Sequence, residues 1–451
     1  MVKPRAVEQK FIRDVFSTIL TKIFLVILKL GSSVLTARFL GATGRGEFFG
    51  VTQLAGIINT IGTLSIGEGL IYFLSTHKLK EKHCLATVLF FVIFFSIPIW
   101  GFILCLYSFT DFLFPADKKT DIFIIVCALI PLFMCEYLGS SVFKGLKRFK
   151  FANKISVFCR TVLLISIFFS LVMPESSVVV VLFAFVLAYL AIALIYLLLI
   201  GIYLGFSITV PIHKLKRILK YSVRVHPIIF ISEIEYRLDV FVLIYFLDFA
   251  SLGIYSIGVS FGQLVWYVSN SINNVAFPNL AETENLKKRL EFFQKIVRYN
   301  ILLNCLIILL MMLSGYWLIY LIFGEQFQDA FGVFIILSFG FVFDTISRNM
   351  VTWFKSANNP NPVTLSTIMA LILNVILNIL LIPIFGLFGA AFASTISYIV
   401  RSCMIMYAYS QVTKTNIFTS LVPRRNDLIG IINLIKIYVF QKDSKLKREA
   451  T

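Results

Sequence analysis

The sequence predicts an all-α integral membrane protein of twelve transmembrane helices, and three observations predict it. Of 451 residues, 59% are hydrophobic and only 14% are charged, where a soluble chain carries about 25% charged residues. The apolar residues gather into runs of about 20 or more, the length that crosses a hydrocarbon core. Between those runs, Lys and Arg alternate strictly from one side to the other. The mean hydropathy is +0.91.

Spans are predicted at 15–40, 48–74, 84–109, 121–143, 155–173, 178–205, 225–249, 251–280, 292–322, 331–355, 363–383 and 386–411. Several exceed the bilayer thickness, so tilt or projection is expected. The loops on the side of the two termini hold 31 Lys and Arg residues, and the opposite loops hold four: Arg38, Arg45, Lys118 and Lys119. Such a bias predicts both termini in the cytoplasm, in a cell inner (cytoplasmic) membrane. The first apolar stretch is long and has no small-residue cleavage site, so it reads as a retained span and not a signal peptide. The net charge of +18 follows one membrane face and not one domain, which argues against nucleic acid as a partner.

The predicted organisation is a cytoplasmic N-terminus (1–14), an N-lobe of six helices (15–205), a basic cytoplasmic linker (206–224), a C-lobe of six helices (225–411) and a basic tail (412–451). Within the tail, LIGIINLIKIYVF (428–440) is too short to span comfortably and reads as an interfacial helix. External loops are short, which leaves no extracytoplasmic domain to house catalysis. The seven cysteines and four histidines show no metal-ligand spacing. No nucleotide-binding loop is present either. Neither an enzyme activity nor a cofactor is therefore expected, apart from a coupling H+ or Na+ and the membrane potential.

The halves look related. Phe39, Leu40, Gly46 and Phe48 fall opposite Phe246, Leu247, Gly253 and Tyr255 at a constant offset, and VFKG (142–145) has a counterpart in WFKS (353–356). Six helices per half give both halves the same orientation, so the repeat axis runs along the membrane normal. Two such lobes enclose a central cavity suited to alternating access.

Charges within the spans mark the candidate site, because an intramembrane charge normally faces a cavity or a partner. Lys22 and Lys29 lie seven apart on one face of the first helix. Snorkelling to the interface competes with cavity lining for both. The seventh span, SEIEYRLDVFVLIYF (232–246), is the most charged. Glu233 and Arg237 are spaced to pair. Glu235 and Asp239 are like charges at the same spacing, which points to a shared proton, a bound cation or a structural network. Asp344 and Arg348 form another i,i+4 pair. Glu68 completes the polar set.

ARFLGATGRGEFFG (37–50), LSIGEGLIYFLS (64–75), YRLDVFVL (236–243), LGIYSIGVSFGQL (252–264), FPNLAE (277–282), FGEQFQDA (323–330) and NVILNILLIPIFGLFGAAFASTISYIV (374–400) resemble the polysaccharide biosynthesis flippases of the Wzx type. That family lies within the multidrug/oligosaccharidyl-lipid/polysaccharide (MOP) exporter superfamily. The resemblance implies two six-helix lobes around a V-shaped cavity. It also implies movement of a polyprenyl-pyrophosphate-linked sugar repeat unit, of the O-antigen kind, from the inner to the outer leaflet. Polysaccharide polymerases and other assembly enzymes would be its partners. Arg38, Arg45, Arg237 and Asp239 fall in the matching blocks. Lys22, Lys29, Arg38, Arg45 and Arg237 are the expected diphosphate and sugar ligands. Glu235, Asp239, Glu233, Glu68, Asp344 and Arg348 are the expected coupling or network residues. A lipid II flippase and a cation-coupled drug antiporter are the competing expectations. The second would favour acids over the lysines and arginines found here.

Overall fold

The computed structural model describes residues 4–109, 118–174, 176–205, 212–283, 285–357, 359–416 and 421–422. The tail run 428–440 lies outside them. Every regular element among the described residues is helical. Ten stretches are long and apolar enough to cross a membrane. One of them, Phe24–Thr63, crosses twice, as shown below. A further crossing, made of α7 (Ile212–Glu235) and α8 (Leu238–Phe246), is broken in the middle. Together they give the twelve crossings the sequence predicts.

The double crossing arises in α1 (Pro4–Thr63). Sixty residues of straight helix would run about 90 Å, three times the hydrocarbon core. Gly41 interrupts the helix with φ 69° and ψ −173°, a conformation open to glycine because it has no Cβ. The Arg45 guanidinium donates to the Thr36 hydroxyl at 2.9 Å. Nine residues would separate them by roughly 13 Å along a continuous helix, farther than an arginine reaches. The bond closes across Gly41, so the chain reverses there. The sequence predicts a loop over 41–47; the structure needs one glycine. Consequently Arg45 lies buried in a helix and not in an external loop.

The second half of α1 breaks at Leu64 and Ser65, both with positive φ, before α2 (Ile66–Ser75) finishes the crossing. The Tyr137 ring packs against the start of α2, where a Cβ on Gly67 would collide with it. After α3 (Cys84–Phe109) come α4 (Lys119–Gly145) and α5 (Phe149–Val172), joined by a three-residue turn, then α6 (Val178–Leu204). The remaining helices are α9 (Phe249–Gly262), α10 (Leu264–Glu282), α11 (Leu286–Phe323), α12 (Asp329–Ser356), α13 (Asn361–Phe385) and α14 (Leu387–Thr413).

The chain packs as two compact units. The first comprises Met1–Ser260, Tyr316–Phe334 and Leu371–Ala393. Its apolar core joins α1 to α7, with Leu70, Leu129, Leu138, Val181 and Ile192 fully buried. Isoleucine, leucine and phenylalanine side chains such as Ile93, Phe169 and Leu187 stay more than 60% exposed, as a lipid-facing surface requires. Small residues bring its helices together. A Cβ on Gly139 would meet the Tyr196 ring at 2.8 Å, so α4 and α6 are in close contact.

The closest approach in this unit is reciprocal. A Cβ on Gly46 would overlap the Phe249 carbonyl oxygen, and one on Gly253 would overlap the Ala42 carbonyl oxygen. Each Cβ would also stand 3.0 Å from the other glycine's nitrogen. Gly46 and Gly253 are repeat equivalents, and so are Ala42 and Phe249 at the same offset. The internal repeat therefore meets itself at this crossing, in the way a two-fold axis dictates.

The second unit comprises Phe261–Gly315, Ile335–Ala370 and Ser394–Thr451. Trp353 anchors it between Phe293, at 5.0 Å, and Tyr409, at 5.5 Å. The Arg289 guanidinium covers the Trp353 ring at 4.7 Å. Beside this core runs an amide ladder. Asn300 donates to Asn349 at 3.0 Å, Asn304 donates to Asn300 at 2.6 Å, and Ser269 donates to Asn300 at 3.2 Å.

Gly46→Ala should lower the folded yield and the melting temperature, because overpacking costs about 1–3 kcal/mol and outweighs any gain in helix propensity. Gly101→Ala, where a Cβ meets nothing within 4 Å, should be neutral or slightly stabilising. Fluorescence-detected size exclusion after heating compares the two.

Candidate functional site

The candidate site is a cation cluster within the first unit. Lys29 sits on the first half of α1. It is open to water yet densely surrounded by protein atoms, which places it on a concave surface. The charges that act on it come from Arg160 of α5, Arg45 of α1 and Arg237 at the α7–α8 break.

Each member is held differently. Arg45 is 6% exposed. Besides Thr36, it donates from Nε to the Ser256 hydroxyl at 3.2 Å, and it lies over the Phe49 ring at 5.6 Å. Among the described residues no carboxylate pairs with it, so its charge acts through the field and not by contact. Arg237 pairs with Glu233 at 2.9 Å, as the spacing predicts, even though the helix breaks between them. Its guanidinium packs where a side chain at Gly56 would stand. A glycine in α1 therefore sets the position of a charge on another helix.

Arg38 is exposed and lies away from this cluster in its bonding. It donates to the carbonyls of Leu321 and of Ile322, the latter at 2.8 Å. These are last-turn acceptors of α11, which otherwise lack partners, and a cation there also complements the helix dipole. In return Gln326 accepts from the Ala42 amide at 3.2 Å, a donor that the reversal at Gly41 leaves open. The ARFLGATG and FGEQF segments thus cap each other.

The acids separate into distinct settings. Asp239 is buried and accepts from the Tyr255 hydroxyl and from the Val240 amide. Glu235 is 3% exposed and lies before the break at Tyr236–Arg237. Glu68 is half-buried in the first turn of α2. Glu47, not among the expected site residues, pairs with Lys118 at 3.1 Å.

In the second unit, Asp344 is fully buried and receives Arg348 at 2.6 Å and Arg401 from α14. Arg348 also donates to Asn270 at 3.3 Å and lies 4.3 Å over Trp266. Lys22 falls in α1, but its side chain is outside the described residues. Arg160 lies within the predicted span 155–173 and was not among the expected site residues. Gly56, Thr36, Ser256 and Gln326 carried no signal, since their roles exist only through distant partners.

A family model described as "Polysaccharide biosynthesis protein" matches residues 11–284, well over half of the chain. The chain belongs to that family. Curated relatives of this polysaccharide biosynthesis protein include the "Probable low-salt glycan biosynthesis flippase Agl15" of Haloferax volcanii, 22% identical over 45% of the chain and 46% of the relative. Another is the "Capsular polysaccharide biosynthesis protein CapF" of Staphylococcus aureus, 29% identical over 32% of the chain and 37% of the relative. The chain spans less than half the length of the curated relatives it matches. Its fold is similar to that of the lipid II flippase MurJ in an inward closed conformation. The TM-score is 0.74 at 16% identity, covering 93% of this chain and 92% of MurJ. It is also similar to an inward-facing MATE family transporter of the MOP superfamily. There the TM-score is 0.67 at 15% identity, covering 86% and 95%. Transport proteins of the MOP superfamily thus share this fold, and the relatives named for a transport role are flippases and transporters, not enzymes.

Gly56→Val should displace the Arg237 guanidinium and reproduce the loss of transport caused by Arg237→Ala. Expression should stay close to that of the parent chain, as measured by in-gel fluorescence beside the transport assay proposed below.

Proposed function

We propose that this protein is a flippase that carries a polyprenyl-pyrophosphate-linked oligosaccharide from the cytoplasmic to the outer leaflet by alternating access, for cell-surface polysaccharide export. The observation that carries the reading is that an exposed cation within a span, Lys29, feels the charges of Arg45, Arg160 and Arg237. A diphosphate would answer these cations through charge-assisted hydrogen bonds from Lys29 and Arg237. Arg45, buried and bonded, would strengthen the field without touching the ligand. A cationic drug would be repelled by the same charges, which disfavours the antiporter reading.

The fold is common to polysaccharide, lipid II and multidrug transporters, so substrate class rests on the site and the family. The named functions of the relatives, glycan and capsular polysaccharide biosynthesis, agree with a glycan cargo. The glycan lipid would meet its polymerase and other assembly enzymes in the cell inner membrane, with both termini of this chain cytoplasmic.

The energetics need no nucleotide. A diphosphate diester carries about two negative charges, and moving each out of a negative cytoplasm is favoured by ~2.3 kcal/mol per 100 mV. Two charges give roughly 4–5 kcal/mol at that potential. Coupling to H+ or Na+ at Glu235 or Asp239 would add to this drive and is not required by it.

Lys29→Gln and Arg237→Gln should each cut outer-leaflet labelling of lipid-linked oligosaccharide about tenfold or more, with normal protein levels and a build-up of unpolymerised units inside. Lys29→Arg should retain most of the signal. Full transport by both glutamine variants would sink the diphosphate assignment.

A further inference from the structure

One end of the first unit carries a basic surface that the cation cluster does not use. Three segments build it: the turn after α2 (75–83), the α4–α5 turn with the start of α5 (144–154), and the first turns of α7 (212–224). They pack on one another. A Cβ on Gly145 would meet Leu74 at 2.9 Å, and one on Gly69 would overlap the Ser222 hydroxyl. Arg148 pairs with Glu81 at 4.0 Å. These segments hold thirteen Lys and Arg residues and one acid, Glu81. Membrane topology accounts for the cations and not for the missing acids, because Asp and Glu contribute little to the positive-inside bias. The segment 281–298 shows the difference, since its five Lys and Arg residues lie among Glu282, Glu284 and Glu291. A surface that meets anions excludes acids, because like charges repel.

Two tyrosines centre this surface. Tyr72 of α2 and Tyr221 of α7 stack with ring centroids 4.6 Å apart and an interplanar angle of 8°. Lys78 lies over the Tyr72 ring at 4.8 Å and donates to its hydroxyl at 3.0 Å. An ammonium carries three donors, so this bond leaves others for a ligand. Arg217 and Arg224 stand four residues before and three after Tyr221 and share its side of α7. Both are exposed, and among the described residues neither has an acidic partner. The tyrosines lie at the borders of the predicted spans 48–74 and 225–249, the headgroup depth at which Tyr is enriched. Phe149, Ile212 and Val223 stay exposed among the cations. Apolar side chains interleaved with cations suit a bilayer surface. The chain's own tail does not complement this face, because residues 412–451 hold eight Lys and Arg residues and three acids.

We propose that this end of the first unit binds anionic phospholipid headgroups, with Lys78, Arg217 and Arg224 taking the phosphate around the Tyr72–Tyr221 pair. The guanidiniums offer paired N–H donors to phosphate oxygens, and the ammonium adds a point charge. Tyr72 is a positioning residue, because its ring and hydroxyl hold Lys78. The proposal goes beyond the transport reading, and its test involves no transport.

Native mass spectrometry of the purified full-length protein tests this, with phosphatidylglycerol, cardiolipin and phosphatidylcholine of matched acyl chains as probes. Both anionic lipids should bind about tenfold more tightly than phosphatidylcholine. Lys78→Gln alone should cut that preference by about half or more. The triple variant Lys78→Gln, Arg217→Gln, Arg224→Gln should erase it, with phosphatidylcholine binding and the size-exclusion profile unchanged. Tyr72→Phe, which keeps the ring and removes the hydroxyl, should lower it less than Lys78→Gln does. Lys287→Gln with Lys288→Gln, in the second unit, should leave the preference intact, as should Lys29→Gln. Equal binding of the three lipids, a preference that survives the triple variant, or an equal loss in the Lys287 and Lys288 control would overturn the proposal. So would binding of undecaprenyl pyrophosphate that the triple variant removes while phosphatidylglycerol binding stays unchanged, since the surface would then serve the polyprenyl diphosphate.

Discussion

The backbone crossing of Gly46 and Gly253 is the constraint on which the first unit depends. No side chain fits between these two segments, because each glycine faces the other segment's carbonyl oxygen. That contact fixes the second half of α1 against α9. Through α1 it sets Arg45 beside Ser256, and through α9 it sets Tyr255 beside Asp239. Tyr255 and Ser256, two and three residues past the crossing on α9, thus each hold one charged group. A crossing made only of backbone is also insensitive to side-chain repacking, which suits an element that must persist while the cargo and its surroundings change.

Gly41 works with that crossing. Its backbone conformation reverses α1 within one residue and leaves the Ala42 amide open. Gln326 answers the amide, and Arg38 caps the nearby end of α11. A charge that sequence reasoning assigned to the cargo is thereby engaged in closing a helix end. The lesson is one of competition: an arginine at a membrane interface has both helix termini and anionic ligands as partners, and only geometry shows which one it bonds.

The charge arrangement separates field from contact. Arg45 is sealed by two hydroxyls and an aromatic ring, so it supplies potential at fixed position and cannot follow a ligand. Lys29 and Arg237 are open enough to touch one. In the second unit the positive charges of Arg348 and Arg401 are tied to one buried carboxylate, Asp344.

The sequence by itself determined the class, the number of crossings, the internal repeat and the family, because hydropathy, charge asymmetry and motif order are properties of the linear chain. It also marked the Glu233–Arg237 and Asp344–Arg348 pairs, since four-residue spacing is a local geometry. It misjudged the stretch from Gly41 to Glu47, where one glycine's φ replaced a loop and carried Arg45 inside. It gave no sign that Gly46 would meet Gly253, that Gly56 would seat Arg237, or that Gln326 would bond Ala42. Those contacts join residues about 180 to 290 positions apart in the chain, and long-range proximity is created by packing alone. What each membrane charge does is therefore a decision of the tertiary structure: its partner is chosen by distance in space, which local spacing does not encode.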